Sequence, residues 1–279
     1  MKIFLTTIFA LVCFALNSIL CRLALKSDEI DAASFTAIRL VSGAVVLFVI
    51  NFLVNKNKEK TKSGSWSSAV YLFVYAICFS FAYINLTTGN GALILFSTVQ
   101  FTLIAIALYK GERPHRLEWL GFLLAFGGLI YLVFPGLSAP PFFSSALMFC
   151  AGIAWGFYTL NGKNSTNPIG DTAGNFLRAV PFAVPILLIF LSQTHLSEKG
   201  ILLAVLSGAV ASGIGYTAWY AILKFHTATR AAILQISVPA FAALGGVIFL
   251  AESLSFRLIS ASFLILGGVA LAIFGRKKF

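Results

Sequence analysis

Long apolar runs, separated by short polar links, dominate the pattern along this chain. A run of about 20 mostly apolar residues is the length that crosses a bilayer as a helix. Ten such runs are predicted, at 3–24, 33–54, 67–87, 91–109, 117–134, 143–161, 172–192, 200–223, 230–250 and 257–275. Two of the links are notable: Thr88-Gly89-Asn90 joins the third and fourth runs, and the proline-rich stretch 135–141 joins the fifth and sixth. The pattern predicts an all-α integral membrane protein with ten transmembrane helices.

The ten predicted spans form two related groups of five, because the sequence aligns with itself at a shift of 139 to 140 residues. The aligned positions are Glu112 with Glu252, Gly127-Gly128 with Gly267-Gly268, and Arg39 with Arg178. The proline-rich link is the natural boundary, so we place the two repeats at residues 1–136 and 142–279. Since five is odd, the second group must cross the membrane in the opposite sense, which predicts an inverted repeat. The glycine pairs suit close helix packing.

Composition agrees with a bilayer as the main surroundings of the chain. The 279 residues are 59% hydrophobic and only 10% charged, whereas soluble domains average about 25% charged. The mean hydropathy is +0.94. A net charge of +11 would suggest a nucleic-acid partner in a soluble protein. Here the positive residues lie in short links between spans, so we expect the lipid bilayer and no nucleic acid as a partner.

The positive residues also indicate the orientation of the chain. Of the 20 lysines and arginines, Arg39 and Arg178 lie within spans, four lie on one side of the membrane (Arg22, Lys26, Lys199 and Arg257), and the other fourteen lie on the side that holds both termini. Cytoplasmic loops of bilayer proteins carry an excess of lysine and arginine. We therefore expect both termini in the cytoplasm.

The predicted spans contain few residues that could bind a proton, a cationic substrate or a metal ion. No aspartate or glutamate lies deep in a predicted span. Because cation carriers and proton relays commonly use an intramembrane carboxylate, both a cationic cargo and a simple carboxylate relay are disfavoured. The four cysteines and three histidines are too scattered for a metal site, and no cofactor is predicted. Glu112 and Glu252, at the ends of spans on opposite faces, are predicted to be structural caps of their turns.

Two arginines are the exceptions to an uncharged interior. Arg39 and Arg178 lie within the second and seventh predicted spans, and a charge in that environment is a functional candidate. One interpretation is a guanidinium that binds a carboxylate or phosphate of the substrate. The other is a structural or gating role, which the symmetry of the pair favours because substrates are not symmetric.

Aromatic and amide side chains are the better candidates for a substrate cavity, because polar groups at membrane depth need partners or water. The three aromatic residues on the eighth span fall on one helix face. An alternative for the tryptophans and tyrosines is a belt at the membrane surface. The predicted cavity residues are Asn17, Tyr83, Gln100, Trp155, Tyr158, Tyr216, Trp219, Tyr220 and Gln235.

A family resemblance rests on two stretches, 92–136 and 231–275. In each, a helix is followed by a small residue and a glutamate in a turn, then by a helix with a Gly-Gly pair. This arrangement is similar to the EamA repeat of the drug/metabolite transporter superfamily, and Ala154-Trp155-Gly156 also resembles that family. The resemblance implies a carrier of the cell (inner) membrane with ten helices, both termini inside, and a central cavity lined by helices 1, 3, 4, 6, 8 and 9.

The sequence therefore predicts a secondary transporter that works by alternating access and has a small molecule as its partner. We expect export of a small polar or zwitterionic metabolite, such as an amino acid. Two alternatives remain open: an uptake carrier for a nucleoside, vitamin or other metabolite, and an intramembrane enzyme that processes lipid. The enzyme is disfavoured because no HExxH motif, aspartate pair or intramembrane histidine is present. The sequence leaves the oligomeric state open.

Overall fold

A computed structural model describes residues 2–54, 63–109, 116–134, 139–163, 165–225, 234–235 and 237–274. In this part of the chain the architecture is all-helical, with ten principal helices. They are α1 (Lys2–Lys26), α2 (Ala32–Val54), α3 (Trp66–Tyr83), α4 (Thr88–Tyr109), α5 (Arg116–Val133), α6 (Phe142–Gly162), α7 (Pro168–Ile189), α8 (Glu198–Leu223), α9 (Val238–Leu250) and α10 (Phe256–Phe274). The prediction of ten helices is confirmed.

Seven of the described helices, α1–α4 and α6–α8, are long and apolar enough to cross a membrane. The other three have shorter apolar segments: Trp119–Leu132 in α5, Val238–Leu250, which is the whole of α9, and Phe256–Leu271 in α10. The first part of the predicted span 230–250 lies largely outside the described residues. Large apolar side chains such as Phe48, Phe52 and Phe263 are exposed on the outer surface, as contact with lipid requires.

Several helix boundaries differ from the sequence prediction, and polar contacts explain the starts of α4 and α7. Helix α3 ends at Tyr83, and Thr88-Gly89-Asn90 forms the first turn of α4 rather than a link. The carboxylate of Glu252 accepts a hydrogen bond from the backbone N–H of Thr88 and so satisfies a donor at the start of α4. Helix α7 starts at Pro168, four residues earlier than predicted, because the Asn167 side chain caps it and proline suits the first turn.

The second group of five helices crosses the bundle in the opposite sense to the first. We call the end where α1 begins the N-terminal face and the other end the far face. Asn161 at the end of α6 donates a hydrogen bond to Ser68 at the start of α3, and Asn85 just after α3 donates to Ser144 in the first turn of α6. Helices α3 and α6 are therefore antiparallel. Because α3 begins at the N-terminal face like α1, α6 begins at the far face.

The contacts between helices repeat across the two groups. Helix α2 lies against α7, α4 against α9, and α5 against α10, while the α3–α6 contact is matched by α8 against α1. If helices 1–5 exchange places with helices 6–10 by a two-fold rotation, each of these contacts maps onto itself or onto its counterpart. The structure thus has the internal repeat that the sequence indicated.

Glycines allow several of these helices to approach closely. Gly208 of α8 lies against the backbone carbonyl of Arg39 and the side chain of Ser42, so there is no space there for a Cβ atom. Gly152 and Gly156 of α6 similarly face threonines of α4. Lipid supplies little hydrophobic drive between helices, so small residues at the contacts are an important source of their packing energy.

Candidate functional site

A polar cluster centred on Arg39 lies inside the bundle, where the two groups of helices meet. Arg39 of α2 is only 1% exposed. Its Nε donates to Ser212 Oγ at 3.0 Å, and its Nη2 donates to the hydroxyls of Tyr216 at 2.7 Å and Tyr75 at 3.2 Å. Its other terminal nitrogen, Nη1, has no hydrogen-bond partner among the described residues.

Asn17 of α1 connects further members of this cluster. Its Nδ2 lies 3.1 Å from the hydroxyls of both Tyr75 and Tyr216, and its Oδ1 accepts a 2.5 Å hydrogen bond from Ser207 Oγ. Four helices, α1, α2, α3 and α8, therefore share one hydrogen-bond network. We call it the Arg39 cluster: Asn17, Arg39, Tyr75, Ser207, Ser212 and Tyr216.

A π-helical stretch in α8 helps to build the cluster. Residues Ser207–Ile214 are wound as a π-helix inside α8, which changes the angular spacing of the side chains along that helix. Ser207 and Ser212 both lie in this stretch and Tyr216 follows it, and all three belong to the cluster. π-bulges inside α-helices are frequent at functional sites.

The charge of Arg39 has no acidic partner in the part of the chain that the structure describes. The contacts between basic and acidic side chains there join Arg22 to Glu252, His195 to Asp28 and Lys199 to Glu29. Arg39 instead lies over two rings, with its guanidinium carbon 5.1 Å from the centre of Tyr75 and 5.0 Å from that of Phe79. Cation–π contacts and neutral hydrogen bonds offset only part of the cost of burying a charge, so Arg39 is a strong functional candidate.

Three aromatic side chains, Phe14, Trp155 and Trp219, form an aromatic wall beside the Arg39 cluster. The ring of Trp155 on α6 lies 4.5 Å from Tyr216 and 4.9 Å from Tyr75, centre to centre. Phe14 contacts Trp155 at 5.5 Å and Trp219 at 5.4 Å. The indole nitrogens of both tryptophans are buried without a hydrogen-bond partner among the described residues. The wall therefore combines apolar faces with two unused donors.

Two tyrosines lie between this wall and a pocket at the N-terminal face. Tyr158 stacks on Trp155 at 5.3 Å and contacts Tyr220 at 5.2 Å, while the Tyr220 hydroxyl donates to the Tyr158 carbonyl. Tyr220 also lines a polar pocket of about 360 Å³. Its full lining is Gly64, Ser65, Ser67, Ser68, Asn161, Gly162, Asp171, Asn175 and Tyr220.

Polar contacts hold the far face together. Arg22 Nε lies 3.3 Å from the Glu252 carboxylate, and Arg22 Nη1 donates to the backbone carbonyls of Tyr83 and Ile84. Because Glu252 also accepts from the Thr88 N–H at 2.8 Å, this Arg22–Glu252 bridge ties α1, α3, α4 and α9. Arg22, which was counted among the residues on one side of the membrane, is buried within α1, because this helix continues to Lys26.

The links at the far face add a second set of contacts between the repeats. Ser197 donates a 2.7 Å hydrogen bond to the Glu29 carboxylate, and Lys199 donates one at 2.9 Å. These two contacts, the Ser197 hydrogen bond first, lower the pKa of Glu29 below its usual value. The backbone N–H of Ser197 also donates to the Glu29 carbonyl, which joins the α1–α2 link to the start of α8.

The structure brings together most of the residues predicted for the cavity. Asn17, Trp155, Tyr158, Tyr216, Trp219 and Tyr220 form one connected group of hydrogen bonds and ring contacts. Tyr83 lies apart, at the Arg22–Glu252 bridge, and the ring of Phe79 lies between it and Tyr75. Gln100 on α4 and Gln235 just before α9 are buried. Glu112 lies outside the described residues.

The two predicted intramembrane arginines have different environments. Arg178 is half-buried, and its Nη1 donates to the backbone carbonyls of Ser63 and Gly174 at the N-terminal face. Arg39 is fully buried among hydroxyl groups and rings. The equivalence of the two positions in the repeat therefore does not extend to their partners. Arg39 binds hydroxyl groups on α3 and α8, and no matching set surrounds Arg178 among the residues that the structure describes.

Sequence reasoning missed several members of the site. Tyr75 could have been found, because it precedes the predicted Tyr83 by eight residues and so shares a face of α3 with Phe79 and Tyr83. Ser207 and Ser212 carried no such signal, since ordinary helical spacing does not reveal a π-helical stretch. Phe14 was indistinguishable from the many other phenylalanines in the spans.

Two inverted groups of five helices around a buried polar centre are an architecture that recurs among membrane transporters. The sequence matches the EamA-like transporter family over residues 1–134 and 143–274, and this chain belongs to that family. The family match, within the drug/metabolite transporter superfamily, supports the predicted transporter class over an enzyme. The protein is a multi-pass membrane transporter, so its partners are a bilayer and a small-molecule substrate.

This chain is also similar to several individual proteins, three of which follow. An uncharacterized protein of Pseudomonas aeruginosa is 49% identical over 269 residues, which covers 96% of this chain and 93% of that protein. A protein of Salmonella typhimurium named as a probable amino-acid metabolite efflux pump is 25% identical over 216 residues, 72% of each chain. A crystal structure of a protein with 19% sequence identity has the same fold, with a TM-score of 0.67 and 96% of both chains covered.

Proposed function

We propose that this transporter exports a small polar or zwitterionic metabolite, with an amino acid as the preferred class. The observation that carries the proposal is the Arg39 cluster, which joins a buried cation and hydroxyl groups to an aromatic wall and contains no carboxylate. Such a site suits a compound with an acidic group and an apolar part, while ring faces can accept an ammonium group through cation–π contacts. The name of the Salmonella relative supports an amino-acid metabolite and its efflux.

Alternating access would use the two repeats, residues 1–136 and 142–279, as the moving parts. In the present arrangement the Arg22–Glu252 bridge holds the far face together, and the 360 Å³ pocket opens at the N-terminal face. We propose that substrate enters through this pocket and passes Tyr158 and Tyr220. The opposite state would then close the N-terminal face and break the Arg22–Glu252 bridge, which releases the substrate at the far face.

We place the protein in the cell (inner) membrane with the N-terminal face in the cytoplasm, on the basis of its positive residues. Reporter fusions after Phe279 and within residues 55–65 are expected to be cytoplasmic, and a fusion within residues 191–197 external. An external reporter at either of the first two positions would contradict this orientation and reverse the proposed direction of transport.

Counterflow into proteoliposomes, screened against a mixed metabolite pool, tests the proposed substrate class. We expect a zwitterionic or neutral amino acid to accumulate and to compete better than choline or a lipophilic cation. A cation would add repulsion from Arg39 to its own desolvation cost. Preferential counterflow of a permanent cation would contradict the proposal, and a nucleoside or vitamin as the best substrate would favour the uptake-carrier alternative.

A further inference from the structure

We infer that Arg39 binds an oxyanion of the transported compound through Nη1, and that the indole N–H groups of Trp155 and Trp219 donate to the same ligand. For an amino acid this oxyanion is the α-carboxylate. The inference rests on the proposed function and adds to it the group by which the substrate is recognised. Among the described residues, no carboxylate pairs with Arg39.

The first support is the balance of donors and acceptors. The unpaired polar atoms Arg39 Nη1, Trp155 Nε1 and Trp219 Nε1 are all buried. Guanidinium and indole nitrogens can donate hydrogen bonds but cannot accept them. Buried donors without partners are costly, so a group that pairs with these nitrogens must be an acceptor, and a carboxylate offers several lone pairs.

The second support is the way in which the guanidinium of Arg39 is held. Its Nε and Nη2 are occupied by Ser212, Tyr216 and Tyr75. These contacts fix the plane of the guanidinium and leave Nη1 without a hydrogen-bond partner among the described residues. A donor held in place before binding loses little entropy when the ligand arrives, and a charge-assisted hydrogen bond to a carboxylate is stronger than a neutral one.

The third support is the uneven distribution of counter-ions. Arg22 has the Glu252 carboxylate, and Arg178 is half-buried and bound to two backbone carbonyls. Arg39 is the most deeply buried of these three arginines and has no acidic partner among the described residues. An incoming carboxylate would neutralise it in surroundings of low dielectric, where the attraction is much stronger than in water.

The aromatic wall indicates which chemical group the ligand carries besides its carboxylate. Phe14 contacts Phe96 and Trp155, and Trp155 contacts Tyr75 and Tyr216. Rings arranged in this way can contact a flat or bulky apolar group while the Arg39 edge holds the acid. We therefore use phenylalanine as the probe, since its ring, carboxylate and ammonium can be altered one at a time.

Equilibrium binding to the full chain in lipid nanodiscs tests the inference with five probes: phenylalanine, phenylalaninamide, phenethylamine, 3-phenylpropionate and benzylphosphonate. Phenylalanine is expected to bind more tightly than its amide and the amine by on the order of tenfold, because only it offers a carboxylate to Arg39. The acid 3-phenylpropionate should also bind more tightly than the amine. Benzylphosphonate distinguishes a general oxyanion site, which would bind it like the acid, from one restricted to carboxylates.

Matched variants of the two arginines test which of them causes the preference for the acid over the amide. Arg39→Gln should make the acid and the amide bind equally, whereas Arg178→Gln, at the equivalent position of the other repeat, should retain the preference for the acid. Trp155→Phe keeps a ring but removes the N–H donor, and it should reduce the preference by about twofold to tenfold. If Arg39→Gln does not fold, Arg39→Lys, which keeps the charge but loses the fork of donors, should show a reduced preference.

Equal binding of phenylalanine and phenylalaninamide by the wild-type chain would overturn the inference without any variant. If amino acids are nevertheless transported in counterflow, the proposed function stands and Arg39 has only a structural role. If neither amino acids nor their derivatives are transported, the proposed function fails as well. A preference for the acid that Arg39→Gln leaves intact would also overturn the inference, because the carboxylate would then bind elsewhere.

Discussion

Replacing Glu252 by glutamine is expected to open the far face and to raise the labelling rate of Cys21 by a membrane-impermeant maleimide about tenfold or more. The Glu252 carboxylate pairs with Arg22 and accepts from the Thr88 N–H, and the side chains of Arg22 and Glu252 are only 11% and 7% exposed. Breaking such a nearly buried pair costs about 3–5 kcal/mol. Since 1.4 kcal/mol corresponds to a factor of ten, a fraction of this cost shifts the opening equilibrium measurably.

Cys21 is a suitable reporter because it is fully buried and adjacent to Arg22 on α1. The other three cysteines, Cys13, Cys78 and Cys150, would be replaced by alanine in every variant compared. Glu198→Gln provides the control, because Glu198 is an exposed glutamate in the first turn of α8, also at the far face. Unchanged Cys21 labelling and thermal stability in Glu252→Gln would show that the Arg22–Glu252 bridge does not hold this face closed.

Substituting Gly268 by valine is expected to lower the free energy of unfolding by about 1–3 kcal/mol, the range for an overpacked helix contact. A Cβ at Gly268 would lie 2.5 Å from the backbone N of Ala125 and 2.6 Å from the carbonyl oxygen of Gly121. These are backbone atoms of α5, which cannot turn aside as a flexible side chain can. Helices α5 and α10 contact each other more extensively than they contact the other described helices. If the valine pushes them apart, few contacts with other helices can compensate for the loss.

The neighbouring glycine supplies the control for this prediction. Gly267→Val adds the same side chain one residue earlier, where a Cβ atom would have no heavy atom within 4 Å. Thermal unfolding in detergent should therefore show a lower midpoint for Gly268→Val than for Gly267→Val. Equal midpoints would mean that α5 and α10 adjust their spacing without cost. Both Gly-Gly pairs were predicted to serve packing, but at Gly127 as well as Gly267 a Cβ would meet open space.

The pattern of apolar runs predicted most of the architecture, because crossing a bilayer sets helix length directly. The odd number of spans in each repeat also predicted the inversion, which the antiparallel contact of α3 with α6 shows. Boundaries were less accurate where a distant side chain decided them. Thr88 begins α4 because Glu252, 164 residues further along the chain, accepts its N–H, and local composition carries no sign of that contact.

The candidate site was predictable only in part, because its geometry, like the helix boundaries, depends on contacts between distant parts of the chain. Trp155, Tyr158, Tyr216 and Tyr220 were selected because hydroxyl and indole groups are conspicuous inside apolar spans, and the structure places them in one connected group. Tyr83, chosen by the same reasoning, lies instead at the Arg22–Glu252 bridge. A single-sequence pattern shows the face of a helix on which a residue lies, but the depth of that residue and its partners depend on how the helices cross.

The sequence by itself determined the membrane environment, the helix count, the two related repeats and the scarcity of intramembrane acids, because each depends only on composition and spacing along the chain. The tertiary structure alone decided which of the two intramembrane arginines is fully buried among hydroxyl groups and rings. Arg39 and Arg178 are equivalent in the repeat, yet Arg39 meets the hydroxyls of Tyr75, Ser212 and Tyr216, while Arg178 meets backbone carbonyls. The electrostatic character of a buried charge is set by the groups that surround it in space, and here those groups come from helices far apart in the sequence.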